Sequence, residues 1–165
     1  MNKLKIVSIC KYLWLIIATA LILYIINQSV ITERNLVYKL DFKESISRDI
    51  TGWYPESRTL FNEESNKLAI LGEPIYLQVY LPIKFDVLTI KGQADFADED
   101  FRLGLKQSDG SWLFKEIGDN NISVFFSLEN AQIKRNKIEL ILSVPDLKAT
   151  SSISLNNNWQ LFLSR

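Results

Sequence analysis

Three side chains on one predicted strand form the best candidate for a ligand-binding surface. In IYLQVYLP, residues 75–82, Tyr76, Gln78 and Tyr80 alternate with apolar residues, so all three lie on the same face of a β-strand. Aromatic rings can stack against the apolar side of a pyranose, while the amide between them can donate hydrogen bonds to its hydroxyl groups and accept them. The pattern therefore favours a glycan-binding face.

Two aromatic residues on a later predicted strand could extend this face. Trp112 and Phe114 occupy alternate positions in WLFKEI, residues 112–117. The alternative is that the 43–66 segment or another strand covers the face, because buried aromatic residues are common in β-sandwiches. The predicted ligand-binding residues are Tyr76, Gln78, Tyr80 and Trp112.

The acidic run DFADED, residues 95–100, is the densest group of charged side chains. Carboxylate oxygens are ligands that Ca²⁺ prefers, and Asp95, Asp98 and Asp100 would be the ligands of such a site. The run lacks the regular alternation and the glycine of an EF-hand loop. We therefore predict a solvated loop between strands and no bound metal, with calcium binding as the alternative.

The composition excludes several classes of enzyme. The chain has no histidine, and its only cysteine, Cys10, adjoins an apolar run. A Ser-His-Asp triad, a Cys-His pair and an imidazole zinc site are therefore excluded. Glu63 with Glu64 and Glu116 with Asp119 are neighbours in sequence only, whereas glycoside hydrolysis needs two carboxyl groups at a defined separation across the bond. We predict that the protein is not an enzyme and uses no cofactor.

Charge is unevenly distributed along the chain. The 19 basic and 19 acidic residues give a net charge of zero, but residues 1–32 contain three lysines and no acid. The remainder has 16 basic and 19 acidic residues and a net charge of −3. Nucleic acid is therefore not expected as a partner, because phosphate binding needs a basic surface. The basic run KRNK, residues 134–137, is interpreted as a solvated turn that leads into a strand.

An apolar run near the N-terminus predicts a membrane anchor. As a helix, residues 10–28 would span about 28 Å at ~1.5 Å per residue, close to the thickness of the hydrocarbon core. Tyr12, Trp14 and Tyr24 suit the two membrane interfaces. The only small-x-small pattern, residues 18–20, lies inside the run, so a signal-peptidase site is hard to place. A removed signal peptide and a buried helix of a soluble fold are the alternatives.

The charges around this run predict its orientation. Three lysines lie at or before its start, whereas Glu33 and Arg34 cancel after it, which places the N-terminus in the cytoplasm. The predicted protein is therefore single-pass, with the lipid bilayer as a partner of residues 10–28. The predicted division is a cytoplasmic N-terminus at 1–9, a signal-anchor helix at 10–28, a juxtamembrane linker at 29–34 and an extracytoplasmic domain at 35–165.

From residue 35 onward, short runs of alternating apolar and polar residues are typical of strands. Turn residues separate them, including Asp109-Gly110, a pair that favours a type I′ hairpin turn. Nine or ten short strands with no long amphipathic helix predict an all-β domain, a β-sandwich or jelly roll. The runs are 36–42, 67–71, 75–82, 86–93, 101–107, 112–117, 122–128, 137–144, 152–155 and 159–164.

Alternate positions of these runs provide the predicted core. The least regular segment, 43–66, is interpreted as a loop or cap whose aromatic residues, Trp53 and Tyr54, close one end of the sandwich. The predicted core residues are Phe42, Leu68, Ile70, Leu77, Val79, Leu88, Ile90, Leu103, Leu105, Ile138, Leu140 and Leu142.

GEPIYLQVYLPIKFDVLTIKG and FRLGLKQSDGSWLFKEI, within residues 72–117, resemble a β-sandwich module of poorly characterised bacterial envelope proteins. The similarity rests on apolar alternation, on a turn with Pro82, Phe85 and Asp86, and on the SDGSW hairpin. In that family a jelly-roll domain outside the cytoplasm follows one transmembrane helix, and it is sometimes appended to transporter permease chains. The resemblance implies a membrane-anchored extracytoplasmic sandwich and supplies no catalytic residues.

These features predict a single-pass envelope protein whose sandwich binds a glycan, a peptide or another envelope protein. The alternative is a non-catalytic accessory or structural subunit of a membrane complex such as a transporter. Exposure of Tyr76 and Tyr80 on a concave face would favour ligand binding, and their burial would remove that prediction.

Overall fold

The chain divides into two units, Met1–Arg34 and Asn35–Arg165, in a computed structural model that describes residues 13–25, 35–43, 49–96, 101–145 and 153–165. In the first unit, residues 13–25 are helical, and their side chains are exposed. Among the residues described, no helix combines the length and the apolar character needed to cross a membrane. The predicted N-terminal segment at 1–9, both ends of the predicted span at 10–12 and 26–28, and the linker at 29–34 lie outside the described residues.

The described part of the second unit contains eleven strands and one short 3-10 helix, Glu56–Arg58. All ten predicted runs form strands, and one further strand, β2, lies in the 43–66 segment that was interpreted as a loop. The run TLFN places its two apolar residues side by side between polar ones, so it lacks the alternation that identifies a strand from sequence. The strands are β1 (Asn35–Lys39), β2 (Thr59–Asn62), β3 (Lys67–Ile70), β4 (Ile75–Tyr80), β5 (Val87–Asp95), β6 (Phe101–Lys106), β7 (Trp112–Ile117), β8 (Asn121–Ser127), β9 (Lys137–Ser143), β10 (Ile153–Asn156) and β11 (Gln160–Ser164).

The strands form two antiparallel sheets around one core. The four-stranded sheet has the order β4-β9-β6-β7. In the seven-stranded sheet, β5 pairs with β8 along one side. On its other side, the first half of β5 pairs with β11 and the end of β5 pairs with β10. From there, β1 follows β11, and β3 and β2 follow β10. This arrangement confirms the predicted all-β sandwich.

Alternation along the strands places apolar side chains between the sheets. Leu77 of β4, Leu103 of β6 and Leu88 of β5 are at most 1% exposed, as expected for inward positions of a two-sheet core. Of the predicted core residues, Phe42 alone is only partly buried, because it follows the end of β1 and no pleat directs its side chain inward. Trp53 belongs to the core and packs edge-on against Trp159, with 6.1 Å between ring centroids.

The β6–β7 hairpin does not have the predicted type I′ turn. Gly110 has φ of +89°, but Asp109 is not left-handed, and the amide of Gly110 donates to the carbonyl of Gln107. The Asp109 carboxylate accepts hydrogen bonds from the backbone amide and the hydroxyl of Ser111, which holds the longer turn. The prediction of a type I′ turn at Asp109-Gly110 was therefore wrong. A turn with two left-handed central residues occurs elsewhere, between Lys134 and Lys137, where Arg135 and Asn136 both have positive φ.

Candidate functional site

Three aromatic rings form a row on the outer face of the four-stranded sheet. Tyr76 and Trp112 come from the two outer strands, β4 and β7, and their rings meet over the central strands with 6.1 Å between centroids. The ring of Tyr54 continues the row, 5.6 Å from that of Tyr76. Neighbouring ring planes are inclined by 37° and 32°, and all three residues are half-buried. We call Tyr54, Tyr76 and Trp112 the ring platform.

Three polar side chains adjoin the ring platform and are connected by hydrogen bonds. Glu139 accepts one from the hydroxyl of Tyr54 at 2.7 Å and one from the ammonium group of Lys106 at 3.2 Å. The amide nitrogen of Gln78 donates to the hydroxyl of Tyr54 at 3.3 Å. The Lys106 nitrogen also lies 4.9 Å from the centroid of the Trp112 ring, within the range of a cation–π contact. We call Gln78, Lys106 and Glu139 the polar cluster.

The hydrogen bonds determine the protonation states of two groups in the site. Partial burial by itself would raise the pKa of Glu139, but the hydrogen bonds from Tyr54 and Lys106 outweigh it and lower the pKa below the ordinary value of 4.5. Burial, and then the hydrogen bond to Glu139, raise the pKa of Tyr54 well above its usual range. At neutral pH the site therefore presents a carboxylate at Glu139 and a neutral phenol at Tyr54.

Strand register brings these residues together. Gln78 lies opposite Glu139 in the β4–β9 pair, and Lys106 lies opposite Trp112 in the β6–β7 pair. Successive side chains of a strand alternate between faces, so all four point away from the core. The strand order β4-β9-β6-β7 then places them in one row across the sheet.

Tyr54 reaches the site from an irregular segment beside β4. The backbone amide and carbonyl of Tyr54 pair with those of Tyr76 at 2.9 and 2.8 Å. Residues 49–54 therefore run along the edge of β4, in the plane of the sheet. The described part of the 43–66 segment covers the face in part, because the Tyr54 ring packs against Tyr76 and its hydroxyl reaches Glu139 on β9.

The structure brings together three of the four residues that the sequence singled out. Tyr76, Gln78 and Trp112 belong to the ring platform or the polar cluster. Tyr80 lies on the same face at the end of β4, opposite Lys137, and is not part of the row. Its backbone carbonyl accepts a hydrogen bond from the hydroxyl of Tyr38 at 3.1 Å.

Sequence reasoning missed Tyr54, Lys106 and Glu139. Lys106 and Glu139 each occupy a polar position in an alternating run, which could have marked them as residues of the outer face. Tyr54 carries no such signal, because it lies in a segment without periodicity. Phe114, which the sequence suggested as an extension of the glycan-binding face, covers the outer face at Gly104. A Cβ added at Gly104 would lie 3.0 Å from the Phe114 ring.

The acidic candidates have local partners where the structure describes them. Asp95 forms an ion pair with Lys67, while Asp98 and Asp100 lie outside the described residues. Glu116 forms an ion pair with Arg102, with 3.6 Å between its Oε1 and the Nη2 of the arginine. No group of three potential metal ligands occurs among the residues that the structure describes.

No protein-family model matches the sequence, and no curated protein matches it. Among solved structures, the CBM22-1 xylan-binding domain of Xyn10C from Paenibacillus barcinonensis is 15% identical, with a TM-score of 0.46 over 79% of this chain and 94% of that one. The CBM36-1 domain of a multidomain xylanase from the hindgut metagenome of Trinervitermes trinervoides is 11% identical, with a TM-score of 0.43 over 78% and 95%. A family two carbohydrate esterase from Cellvibrio japonicus is 10% identical, with a TM-score of 0.45 over 79% of this chain. The match spans 34% of the length of that esterase.

Proposed function

We propose that this chain is a non-catalytic glycan-binding protein, anchored in a membrane by residues 10–28, whose β-sandwich binds sugars on the ring platform. The observation that supports the proposal best is the row of three rings beside the polar cluster. Ring centroids 5.6 and 6.1 Å apart are spaced at about the length of one sugar residue in a β-linked chain. Successive pyranose rings can therefore stack on successive aromatic rings.

The polar cluster supplies hydrogen bonds of the kind that sugar hydroxyl groups need. The Glu139 carboxylate accepts hydrogen bonds, the Lys106 ammonium group donates them, and the Gln78 amide does both. Lys106 and Glu139 retain 28% and 26% of their side-chain surface, so a ligand can reach them. Their mutual hydrogen bonds hold them in place before a ligand arrives, which reduces the entropy lost on binding.

The carboxyl chemistry of the site fits binding better than hydrolysis. Glu139 is the only carboxylate among the described residues of the ring platform and the polar cluster. Glycoside hydrolysis uses two carboxyl groups, one of them protonated as an acid. The lowered pKa of Glu139 keeps this group ionised.

The described helix supports the proposed anchor. Apolar side chains of residues 13–25 are exposed on all sides, with Trp14 at 73% and Leu23 at 61%. The hydroxyl of Thr19 donates to the Leu15 carbonyl at 2.8 Å, so it does not need water as a partner. The positive-inside rule places the sandwich outside the cytoplasm.

The glycan proposal is tested with the full-length protein in detergent, screened by affinity electrophoresis against neutral and acidic polysaccharides. We expect Trp112→Ala to weaken binding to any retained glycan by about tenfold or more, as for a central aromatic contact. Phe125→Ala is the matched control, because this ring is 67% exposed and its strand, β8, belongs to the seven-stranded sheet. Equal binding by wild type and Trp112→Ala would contradict the proposal.

The same preparation separates the proposal from the accessory-subunit alternative. Binding to no glycan, together with co-purification of a stoichiometric membrane protein, would support a subunit of a membrane complex. Glycan binding by the protein alone would support recognition.

A further inference from the structure

A basic cleft lies beside the polar cluster on the outer face of the four-stranded sheet. It has a volume of about 630 Å³, within the usual range for a small-molecule site. Lys106 and Glu139 form its boundary with the ring platform. The other lining residues are Gln78, Gln132, Lys134, Arg135, Lys137 and Ile138.

The cations of this cleft exceed its anions. Glu139 is its only lining carboxylate, and Lys106 already neutralises it. Within the part of the chain that the structure describes, Lys134, Arg135 and Lys137 form no ion pair. The cleft therefore carries a net positive charge, although residues 33–165 as a whole carry a net charge of −3.

The loop that carries Lys134 and Arg135 is held in place by backbone hydrogen bonds on both sides. On the β6 side, the amide of Gln132 donates to the Lys106 carbonyl at 2.8 Å. On the β4 side, the amide of Leu81 donates to the carbonyl of Asn136 at 2.7 Å. The run at 134–137, interpreted from sequence as a solvated turn, is thus a turn fixed at the rim of a cleft.

Arg135 occupies a conformation that its residue type disfavours. In the two-residue turn between Lys134 and Lys137, Arg135 and Asn136 have φ of 52° and 59°. Asn or Gly suits such a position, whereas the left-handed region costs an arginine about 1–2 kcal/mol. Strain of this kind is concentrated at functional sites, and Arg135 is one of the residues that line the cleft.

We infer that the glycan bound by this protein is acidic, with its neutral backbone on the ring platform and its anionic groups in the basic cleft. This inference rests on the proposed function and names the class of its ligand. Arg135 matches a planar carboxylate through two parallel hydrogen bonds, and Lys134 and Lys137 add charge. Sugar carboxylates and sulfate or phosphate esters share this anionic chemistry.

The test compares acidic polysaccharides with carboxyl-reduced counterparts that keep the same backbone. Full-length protein in detergent is titrated with glucuronoxylan and carboxymethyl cellulose, each beside its reduced form. We expect at least one acidic polymer to bind about tenfold more tightly than its neutral partner, the effect of one added charge-assisted hydrogen bond. Sulfate and phosphate esters of the same backbones show which anion is preferred.

Two double variants assign the preference to the cleft. Lys134→Gln/Arg135→Asn should abolish the acidic preference and leave affinity for the neutral backbone unchanged, and Asn at position 135 keeps the turn intact. Lys39→Gln/Lys91→Gln removes the same charge from exposed positions on the seven-stranded sheet and should keep the preference.

The outcomes distinguish this inference from the proposed function. Equal binding of acidic and neutral forms would overturn the inference and leave the proposed function standing. An acidic preference that survives Lys134→Gln/Arg135→Asn, or binding unaffected by Trp112→Ala, would also overturn it, because attraction to the general surface would then explain the result. Failure of every polymer to bind would overturn the proposed function as well.

Discussion

Glu139 connects the aromatic and the basic parts of the proposed site. One of its oxygens accepts from Tyr54 and the other from Lys106, so a single carboxylate orients a residue of the ring platform and a cation at the cleft. Tyr54 and Glu139 are 85 positions apart, and their contact ties the edge segment to the middle of the sheet. Loss of this carboxylate should therefore affect both stability and binding.

The pH dependence of stability provides a test at Glu139. The pKa of this carboxyl is lower in the folded protein than its ordinary 4.5, so the unfolded chain takes up the proton first as the pH falls. Its contribution is fully present above pH 4.5 and is lost as the pH falls through the folded-state pKa. Between about pH 6 and about pH 3, wild type should lose more free energy of unfolding than Glu139→Gln, measured by urea titration. The control is Glu116→Gln, because 82% of the Glu116 side chain is exposed. If the stability of Glu139→Gln changed with pH in the same way as that of wild type and the control, the stabilising role of Glu139 would be refuted.

Gly92 is a second residue whose role depends on one close contact. The indole of Trp159 lies across β5, and its nitrogen donates to the carbonyl of Gln93 at 2.9 Å. A Cβ at position 92 would lie 2.6 Å from the indole, which is 1% exposed and has no room to move outward. The absence of a side chain therefore allows the tryptophan to pack on the strand.

Gly92→Ala should lower the free energy of unfolding by about 1–3 kcal/mol, as for overpacking of a core. Thermal and urea denaturation measure the loss. Gly118→Ala is matched to it, because no atom lies within 4 Å of the added Cβ and its effect should stay within about 0.5 kcal/mol. Similar losses for both variants would show that the Trp159 contact is not the cause.

At the scale of elements, two connections position the proposed site. The β6–β7 hairpin places Trp112 opposite Lys106, and the turn at 134–137 places its cations at the cleft. The edge segment at 49–54 brings Tyr54 beside β4. Strands supply Tyr76, Gln78, Lys106, Trp112, Lys137 and Glu139, whereas Tyr54, Lys134 and Arg135 lie on connecting segments.

The β6–β7 turn can be tested through Gly110. With φ of +89°, this residue adopts a conformation that a Cβ disfavours, although nothing lies within 4 Å of the added atom. Gly110→Ala should therefore cost about 1 kcal/mol of stability through backbone strain alone. Gly110→Asn should cost less, because Asn enters the left-handed region more readily. Equal unfolding midpoints for Gly110→Ala and wild type would contradict this explanation.

At the scale of the whole molecule, the proposed anchor and the sandwich have opposite relations to water. The helix at 13–25 exposes apolar side chains, whereas the sandwich encloses its apolar residues between two sheets. The proposed arrangement needs a hydrocarbon solvent for residues 10–28 and water for the sandwich. The proposed position of the sandwich outside the cytoplasm then depends on an anchor that stays in the membrane.

Ala18→Arg tests the anchor. A central arginine raises the free energy of insertion by about 2.5–3.5 kcal/mol. We expect wild-type protein to remain in the membrane pellet after extraction at alkaline pH, and a substantial fraction of Ala18→Arg to be released. Ala18→Leu is the control that keeps the apolar character. Release of the wild type, or a mature chain that starts after residue 26, would contradict the anchor.

The sequence alone was sufficient for ten of the eleven described strands and nearly all of the core. Period-two alternation is a local property, because each side chain points to one face or the other whatever the rest of the chain does. For the same reason Tyr76 and Gln78 could be placed on one face. The strand β2 and the irregular 49–54 segment were missed because neither shows regular alternation of polar and apolar residues.

Tertiary structure alone decided which outer positions form one site. Gln78, Lys106 and Glu139 become neighbours through the strand order β4-β9-β6-β7, which joins segments far apart in sequence. Burial of the whole apolar surface selects that order, and no local pattern encodes it. The proposed role of the basic turn has the same origin, since a charged run becomes the wall of a cleft only when other strands supply the opposite side.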